Sequence, residues 1–314
     1  MGFVRFRPPD AGVRPGYRYG NVIVDLPDTA PAFVANGDPQ SAQMYLKSLD
    51  RFADEDPSSL DSEKHDASDC SFAPPVSPPR LICLEGCYEH DTTTEGMDPH
   101  FEEANMFTKD WPSLWAAPAS AYVGPSEDVR LPSSIMDLRP GVELGLVINR
   151  HAKGLDPAKA GEAIAGVVVV GHLISHDNVP RLEGHRMFDT AFQLGAEIVP
   201  RNAVDVDDVT LTVSVDGSMV DQRSTAEWRF TPAEMVAQAS SVLSLNVGDV
   251  VLTGDPTWIS RTVNGGQTLS VDATGLRGTG SYLIRDGEGE RSRPGCHPGS
   301  ERIKAIPWKE RRRT

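Results

Sequence analysis

The sequence predicts an α+β, strand-rich fold with a small N-terminal β domain and a larger mixed domain. The 314 residues include 28 glycines and 25 prolines, more than the roughly 12% typical of the two together, which indicates many turns. Short runs rich in β-branched and aromatic residues alternate with turn signals along most of the chain. Helical spacing is confined to a few short segments.

Residues 1–79 are expected to form the small N-terminal β domain. Gly20 and Asn21 separate two β-rich runs and predict a hairpin turn. Asp38 and Pro39 are the residue types favoured at the N-cap and the first position of a helix, so one helix is expected here. A proline-rich stretch ends the segment and predicts a stiff linker, which places the domain boundary near residue 79.

The larger domain is expected to span residues 80–285. Asp216-Gly217 lies between two alternating runs and predicts a type I′ hairpin. Thr231 and Glu234 have the spacing of a capping box, and apolar residues follow on one face, which predicts a helix.

The charge balance excludes one class of partner. The chain has 30 Lys and Arg against 45 Asp and Glu, a formal net charge of −15. This charge repels a phosphate backbone, so no nucleic acid is expected as a partner. Residues 286–314 differ in being basic and without periodicity, and we expect them to form a C-terminal extension.

The sequence predicts a cytoplasmic protein with no membrane partner. The longest mainly apolar run, residues 163–174, is too short for a membrane span and predicts a buried strand instead. The N-terminus lacks the apolar core of a secretory signal. Four cysteines are too sparse for a disulfide framework or a zinc site, so reduced thiols are expected.

Three side chains are candidates for chemistry on physical grounds. Glu143 lies at the mouth of an apolar strand, and Asp177 follows the end of another. Hard oxygen ligands from separate strands suit Mg²⁺, Mn²⁺ or Ca²⁺, although a pair of solvated strand-end acids would give the same spacing. His90 is a candidate general base, although a lone histidine is also compatible with a structural role.

The order and wording of several segments resemble the fumarylacetoacetate hydrolase family. At residues 142–148 the chain is similar to the pattern E-x-E-L-x-x-V-I-G. At 171–181 it is similar to G-Y-x-x-x-N-D-x-S-x-R, and at 248–256 to G-D-x-x-x-T-G-T-P. Further similar segments are residues 78–90, 106–109, 123–125, 186–190 and 216–222. The resemblance covers about residues 78 to 285 and implies the family's mixed β-roll as the fold of the larger domain.

The resemblance also implies a reaction class and an assembly. In this family a divalent cation, usually Mg²⁺ or Mn²⁺, is chelated by a small 2-oxo or 1,3-dicarbonyl acid. This substrate is then cleaved at a C–C bond, isomerised or decarboxylated. The cation polarises the carbonyl group and stabilises the enolate that forms. Members usually form homodimers through the large domain, so a homodimer acting on a small molecule is expected.

Carried over position by position, the resemblance assigns site residues. The metal ligands are Glu143 and Asp177, and the residues that move protons or act on the substrate are His90, Glu95 and Arg186. The substrate-binding residues are Tyr88, Lys109, Arg181, Arg186 and Asp255.

The sequence departs from the family pattern at these same positions. Gly141 stands at the position of the first glutamate of E-x-E, so one metal ligand is missing. Cation binding is therefore expected to be weak or absent. Restoring it with Gly141→Glu is expected to tighten metal binding. Arg186 replaces a lysine, and Asp255 replaces a threonine in the substrate region. Thr93 stands where the family pattern expects a glutamate, and Glu95 lies two residues further along.

Three hypotheses about function therefore remain open. The first is an enzyme of this family with a remodelled metal site. The second is an enzyme on the same fold that no longer uses metal. The third is a non-catalytic binding protein. A cation between Glu143 and Asp177 would support the first hypothesis.

Overall fold

The computed structural model describes residues 1–26, 45–49, 61–76, 80–89, 111–125, 127–132, 135, 137–175, 187–257, 261–276 and 280–286. Within them no helix has both the length and the apolar character needed to cross a lipid bilayer. The strands of these residues, numbered in chain order, are β1 (Gly2–Arg7), β2 (Arg14–Tyr19), β3 (Val22–Asp25), β4 (Lys64–Asp66), β5 (Ser71–Ala73), β6 (Leu81–Glu85), β7 (Ser113–Ala117), β8 (Tyr122–Val123), β9 (Val129–Leu131), β10 (Leu138–Ile148), β11 (Ile164–Ser175), β12 (Phe192–Leu194), β13 (Glu197–Pro200), β14 (Thr210–Val215), β15 (Ser218–Ser224), β16 (Val250–Leu252), β17 (Thr268–Ala273) and β18 (Gly280–Asp286).

Helices are short by comparison with the strands. The α-helices whose full bounds are described are α1 (Pro157–Ala160) and α2 (Pro232–Val242). Single 3₁₀ turns lie at Leu46–Ser48, Ala67–Asp69, Ala119–Ala121, Gly161–Ala163 and Thr225–Glu227. The α+β, strand-rich fold class predicted from the sequence is confirmed.

The described strands form two sheets. Thirteen of them belong to one sheet, whose main path runs β4-β3-β2-β1-β13-β11-β10-β16-β6-β7. The second sheet has the order β15-β14-β17-β18-β9. Strand β1 pairs with β13, so the N-terminal strands extend the sheet that contains β10 and β11. The domain boundary near residue 79 stays a prediction.

Strands β10 and β11 form the centre of the molecule because both are buried on both faces. They pair antiparallel along almost their whole length, with Gly141 opposite His172. On one face Val142, Leu144 and Leu146 pack in an apolar cluster with side chains of the second sheet. On the other face Val147 and residues of β11 and β16 form a second cluster with side chains of β1. The long apolar run at residues 163–174 is thus a buried strand, as predicted.

Several local predictions are confirmed. Tyr19 pairs with Val22 across the turn at Gly20-Asn21. Asp216 and Gly217 have φ values of 53° and 74°, the left-handed pair that a type I′ turn requires. Helix α2 begins with the predicted capping box, with both of its hydrogen bonds present.

Two predictions concern segments that lie wholly or mostly outside the described residues. The start of the helix predicted at Asp38 and Pro39 lies outside the described residues. So does nearly all of the basic extension at residues 286–314, of which only Asp286 is described, as the last residue of β18.

Candidate functional site

A carboxylate, an imidazole and a second carboxylate meet on the central strands. Glu143 on β10 and His172 on β11 are both fully buried. Residues two apart in a strand share a face, so Gly141 and Glu143 face the same way as His172, which pairs with Gly141. Gly141 has no side chain, and the imidazole occupies the space above it. A Cβ atom at position 141 would overlap the ring and lie 2.5 Å from the carboxylate of Asp255.

The loop after β16 fixes the second carboxylate. The hydroxyl of Thr253 donates to the carbonyl oxygen of Leu144 at 3.1 Å, and the Leu144 N–H donates back to it at 3.2 Å. These bonds tie the loop to β10. Gly254 then turns the chain with a φ of 81°, a conformation that favours glycine. Its N–H donates to Glu143 Oε2 at 2.8 Å, which places the loop directly against this buried carboxylate.

Asp255 divides its two oxygens between two partners. Oδ1 accepts a hydrogen bond from the backbone N–H of Thr257 at 2.7 Å, which closes a tight local turn. Oδ2 lies 2.9 Å from Nε2 of His172. On the other side of the ring, Nδ1 of His172 lies 3.2 Å from Glu143 Oε1. The imidazole therefore bridges Glu143 and Asp255, which was predicted to bind substrate.

Tyr88, another predicted substrate-binding residue, is buried beside this cluster. It is 1% exposed, and its backbone pairs with Trp228 in an isolated bridge. Burial raises the pKa of its hydroxyl well above the usual value, and the charge of Glu143 adds to this. Burial likewise raises the pKa of the neighbouring Cys87 thiol. Both groups therefore stay protonated near neutral pH, so Tyr88 is available as a hydrogen-bond donor and not as a base.

Most of the other predicted site residues lie outside the described residues. These are His90, Glu95, Lys109, Asp177, Arg181 and Arg186. The described chain does reach Glu89, whose N–H bonds to the carbonyl oxygen of Glu227 at 2.7 Å, and Ser175 at the end of β11. His90 is the first residue after Glu89, and Asp177 is the second after Ser175. Both therefore lie just outside the described residues.

The contacts around Gly141 bear on the metal site expected from the sequence. Gly141 supplies no carboxylate, and a glutamate there would collide with His172 and Asp255. This clash argues against the expectation that the single substitution Gly141→Glu tightens metal binding, which stays to be measured. A carboxylate side chain at this place would require His172 or Asp255 to move, and the donor atoms that face each other are Oε1 of Glu143 and Nδ1 of His172.

A second group of possible metal ligands lies elsewhere. Among the described residues, one atom each from Asp25, Glu63 and His65 come within 4.8 Å of one another. Arg14 already places its guanidinium 2.6 Å from Asp25 and 3.4 Å from Glu63, so a cation is present between the carboxylates. Strand β3 is five strands from β10 in the sheet, roughly 24 Å at about 4.8 Å per strand, so this group is separate from Glu143.

His172 is the site residue that sequence reasoning missed. A single histidine inside an apolar strand is typical of a core position, and its sequence context gives no sign of two carboxylates. A signal was nevertheless present. Position 172 corresponds to the tyrosine of the family pattern G-Y, and it departs from that pattern together with positions 141 and 255.

Comparison with known proteins gives relatives of several activities. The chain is 28% identical over 208 residues to a mitochondrial oxaloacetate tautomerase of Xenopus laevis, which covers 63% of the chain and 62% of that relative. The match thus spans less than two thirds of this relative's length.

Solved structures share the fold along most of the chain. The 5-carboxymethyl-2-hydroxymuconate delta-isomerase of Mycobacterium smegmatis has a TM-score of 0.71 and 21% identity, over 92% of this chain and all of that one. The maleylpyruvate hydrolase of Sphingobium, in complex with manganese(II) and pyruvate, has a TM-score of 0.73 and 18% identity over the same shares. At such identities these two structures show the fold alone.

The family itself is shown by a match over most of the chain. Residues 80–281 match the family model of the fumarylacetoacetate (FAA) hydrolase C-terminal domain. This range contains both central strands and the whole cluster of Glu143, His172 and Asp255. The chain belongs to the fumarylacetoacetate hydrolase family.

Proposed function

We propose that this protein is an enzyme that cleaves, isomerises or decarboxylates a small 2-oxo or 1,3-dicarbonyl acid at a remodelled metal site. The observation that carries the proposal is the cluster in which the fully buried Glu143 and His172 meet the largely buried carboxylate of Asp255 inside the family domain. Burying two carboxylates is costly unless each is matched by a cation or a donor. Such costly arrangements of ionisable groups concentrate at functional sites.

The names of the relatives support the substrate class. They refer to oxaloacetate, to maleylpyruvate and to a complex with pyruvate, which are all 2-oxo acids. One of them was solved with manganese(II). We therefore propose a divalent cation, Mg²⁺ or Mn²⁺, as the cofactor of this chain. When bound, such a cation polarises the substrate carbonyl and stabilises an enolate.

The chain's own residues would share the remaining work. Glu143 and Asp177 would hold the cation. His90, oriented by Glu95, would accept or return the proton at the reacting carbon or at water. Asp255, bonded to His172, would act through that ring and not on the substrate directly.

The substrate anion would be held by cationic and hydroxyl groups. Arg186 would clamp a carboxylate through two parallel hydrogen bonds. Lys109 and Arg181 would add positive charge, which a chain of net charge −15 needs locally to attract an anion. The protonated hydroxyl of Tyr88 would supply one further donor. We further propose a cytoplasmic homodimer without nucleic-acid or membrane partners.

The test is turnover of a defined substrate panel. Acylpyruvates, oxaloacetate and unsaturated hydroxy-diacids are offered to the full chain with Mg²⁺, with Mn²⁺ and after treatment with a chelator. We expect metal-dependent turnover of at least one compound, and His90→Ala should lower kcat by about two to four orders of magnitude. His151→Ala is the matched control, because His151 is exposed and contacts Asn246 on the surface.

Two outcomes would favour the other hypotheses. Turnover that survives complete removal of metal would identify an enzyme that works without a cation. No turnover of any compound by the folded, metal-loaded protein would support a non-catalytic binding protein. An unchanged rate in His90→Ala would show that His90 is not the proton-transfer group.

A further inference from the structure

We propose that His172 is itself a metal ligand, so that this site binds a transition-metal ion through one imidazole nitrogen beside the carboxylate of Glu143. The inference rests on the proposed function, because it assigns a new ligand to the same site. It differs from an all-carboxylate site, since a nitrogen donor takes the place that Gly141 leaves open on the facing strand.

The hydrogen bond to Asp255 orients the ring for this role. Nε2 of His172 lies 2.9 Å from Asp255 Oδ2, and a carboxylate can only accept a hydrogen bond. Nε2 therefore carries a proton, so in the neutral ring that a metal ligand requires the lone pair is on Nδ1. A carboxylate on the far nitrogen is the arrangement that commonly fixes the tautomer of metal-binding histidines and strengthens them as ligands.

The separation on the other side of the ring suits a shared ion. Nδ1 of His172 and Oε1 of Glu143 are 3.2 Å apart, and both residues are fully buried. A charge-assisted hydrogen bond is expected at about 2.7–2.9 Å. Two ligand atoms each about 2.1 Å from one ion lie roughly 3.0–3.4 Å apart, for angles between octahedral and tetrahedral. The observed distance falls within that range.

The other oxygen of Glu143 is already committed. Oε2 accepts the N–H of Gly254 at 2.8 Å, which holds the carboxylate in place and turns Oε1 toward the ring. The resulting donor set mixes nitrogen with oxygen. Imidazole suits Fe, Ni, Cu and Zn best, and Mn²⁺, although the weakest binder of the first-row series, accepts a nitrogen donor more readily than Mg²⁺, which takes oxygen ligands. We therefore expect Mn²⁺ to bind this site more tightly than Mg²⁺, with His172 as the reason.

Pulsed electron paramagnetic resonance of bound Mn²⁺ tests the nitrogen ligand directly. The full chain is stripped with a chelator, loaded with one equivalent of Mn²⁺ and measured with natural and with ¹⁵N-labelled histidine. We expect a nitrogen coupling that changes with the label and is lost in His172→Gln. It should persist in His151→Gln, the exposed control. Calorimetric titration should show Mn²⁺ affinity reduced more than about 10-fold in His172→Gln.

Asp255→Asn provides a variant that keeps the imidazole. It should weaken Mn²⁺ binding by about 10- to 100-fold and alter the nitrogen coupling without abolishing it. This variant keeps the test decisive if circular dichroism shows that His172→Gln does not fold.

Three results would overturn the inference: Mn²⁺ bound without nitrogen coupling, coupling that survives in folded His172→Gln, or no Mn²⁺ binding by the folded wild-type protein. Turnover of the substrate panel is measured on the same samples. Turnover without nitrogen coupling would refute the ligand role and leave the proposed function standing. Nitrogen coupling without any turnover would support the ligand role of His172 and count against the proposed function.

Discussion

At position 141 the missing side chain admits the ring of His172. The two residues are direct partners across β10 and β11, and the ring lies too close to position 141 to leave room for a Cβ atom. One glycine therefore decides which donor atoms surround Glu143. The loss of a carboxylate and the gain of an imidazole are two parts of one local change.

We expect Gly141→Glu to destabilise the protein without tightening metal binding. The new side chain must displace His172 or break its bond to Asp255, and overpacking of this kind typically costs about 1–3 kcal/mol. Thermal denaturation and Mn²⁺ titration measure the two effects. Gly12→Glu is the control, because a Cβ at Gly12 meets no atom within 4 Å.

The same clash predicts how a glutamate at position 141 can be accommodated. Gly141→Glu combined with His172→Ala and Asp255→Thr removes both groups that block the glutamate. We expect this triple variant to recover stability relative to Gly141→Glu alone and to bind Mn²⁺ without a nitrogen coupling. A triple variant no more stable than the single one would contradict the steric explanation.

Arg186 is expected to affect binding more than the chemical step. Arg186→Ala should raise KM for the substrate found in the panel, since a two-point clamp on a carboxylate is lost. Arg186→Lys should recover only part of that binding, because an ammonium cannot reproduce the planar fork. Steady-state kinetics give both constants, with the exposed Arg150→Ala as control. A fall in kcat alone would indicate a different role.

The individual residues show where sequence reasoning ends. The common face of Gly141 and Glu143 follows from the two-residue period of a strand. The bridge through His172 does not, because it requires the register between strands separated by a loop and a helix. Asp255 was recognised as a departure, but its partner lies on another strand and could not be read from its neighbours in sequence.

At the scale of elements, the loop after β16 connects the sheet to the site. Thr253 bonds to Leu144 of β10, and the next two residues contact Glu143 and His172 in turn. The short sequence Thr-Gly-Asp thus sets the position of both groups. The sequence of this segment resembles the family pattern at residues 248–256, whereas the contacts of the loop depend on the tertiary fold.

We expect Thr253→Val to loosen this loop while keeping its shape. The substitution removes a buried hydroxyl that makes two hydrogen bonds with Leu144, which should cost about 1–3 kcal/mol of unfolding free energy. Mn²⁺ affinity should fall with it, because Gly254 and Asp255 lose their anchor. Thr253→Ser retains the hydroxyl and should behave nearly as wild type. Equal metal affinity in the valine variant would show that the loop is held by other contacts.

At the scale of the whole molecule, the N-terminal strands and the central strands share a sheet and an apolar cluster. Phe3 pairs with Ile198 of β13 and packs in the same cluster as Val168 and Val170 of β11. The stability of the site strands therefore depends on residues near the start of the chain.

We expect Phe3→Ala to destabilise the site region together with the N-terminal strands, by about 3–5 kcal/mol. The five tryptophans all lie beyond residue 110, so their fluorescence reports only on the later part of the chain. Denaturant unfolding followed by fluorescence should shift as much as unfolding followed by circular dichroism. Arg7→Ala, at an exposed position of β1, is the control. A fluorescence transition that does not shift would show that the two regions unfold independently.

The pairing of Gly141 with His172 also has a consequence for how such a sequence can arise. A histidine ring in this pose cannot form while position 141 carries a side chain, and a side chain cannot return to 141 while the ring is there. On steric grounds position 141 must be glycine before the histidine can take this pose, and the ring then hinders reversal. Lineages of this family that carry His at position 172 in this pose should also carry Gly at 141, whatever substrate each has come to use.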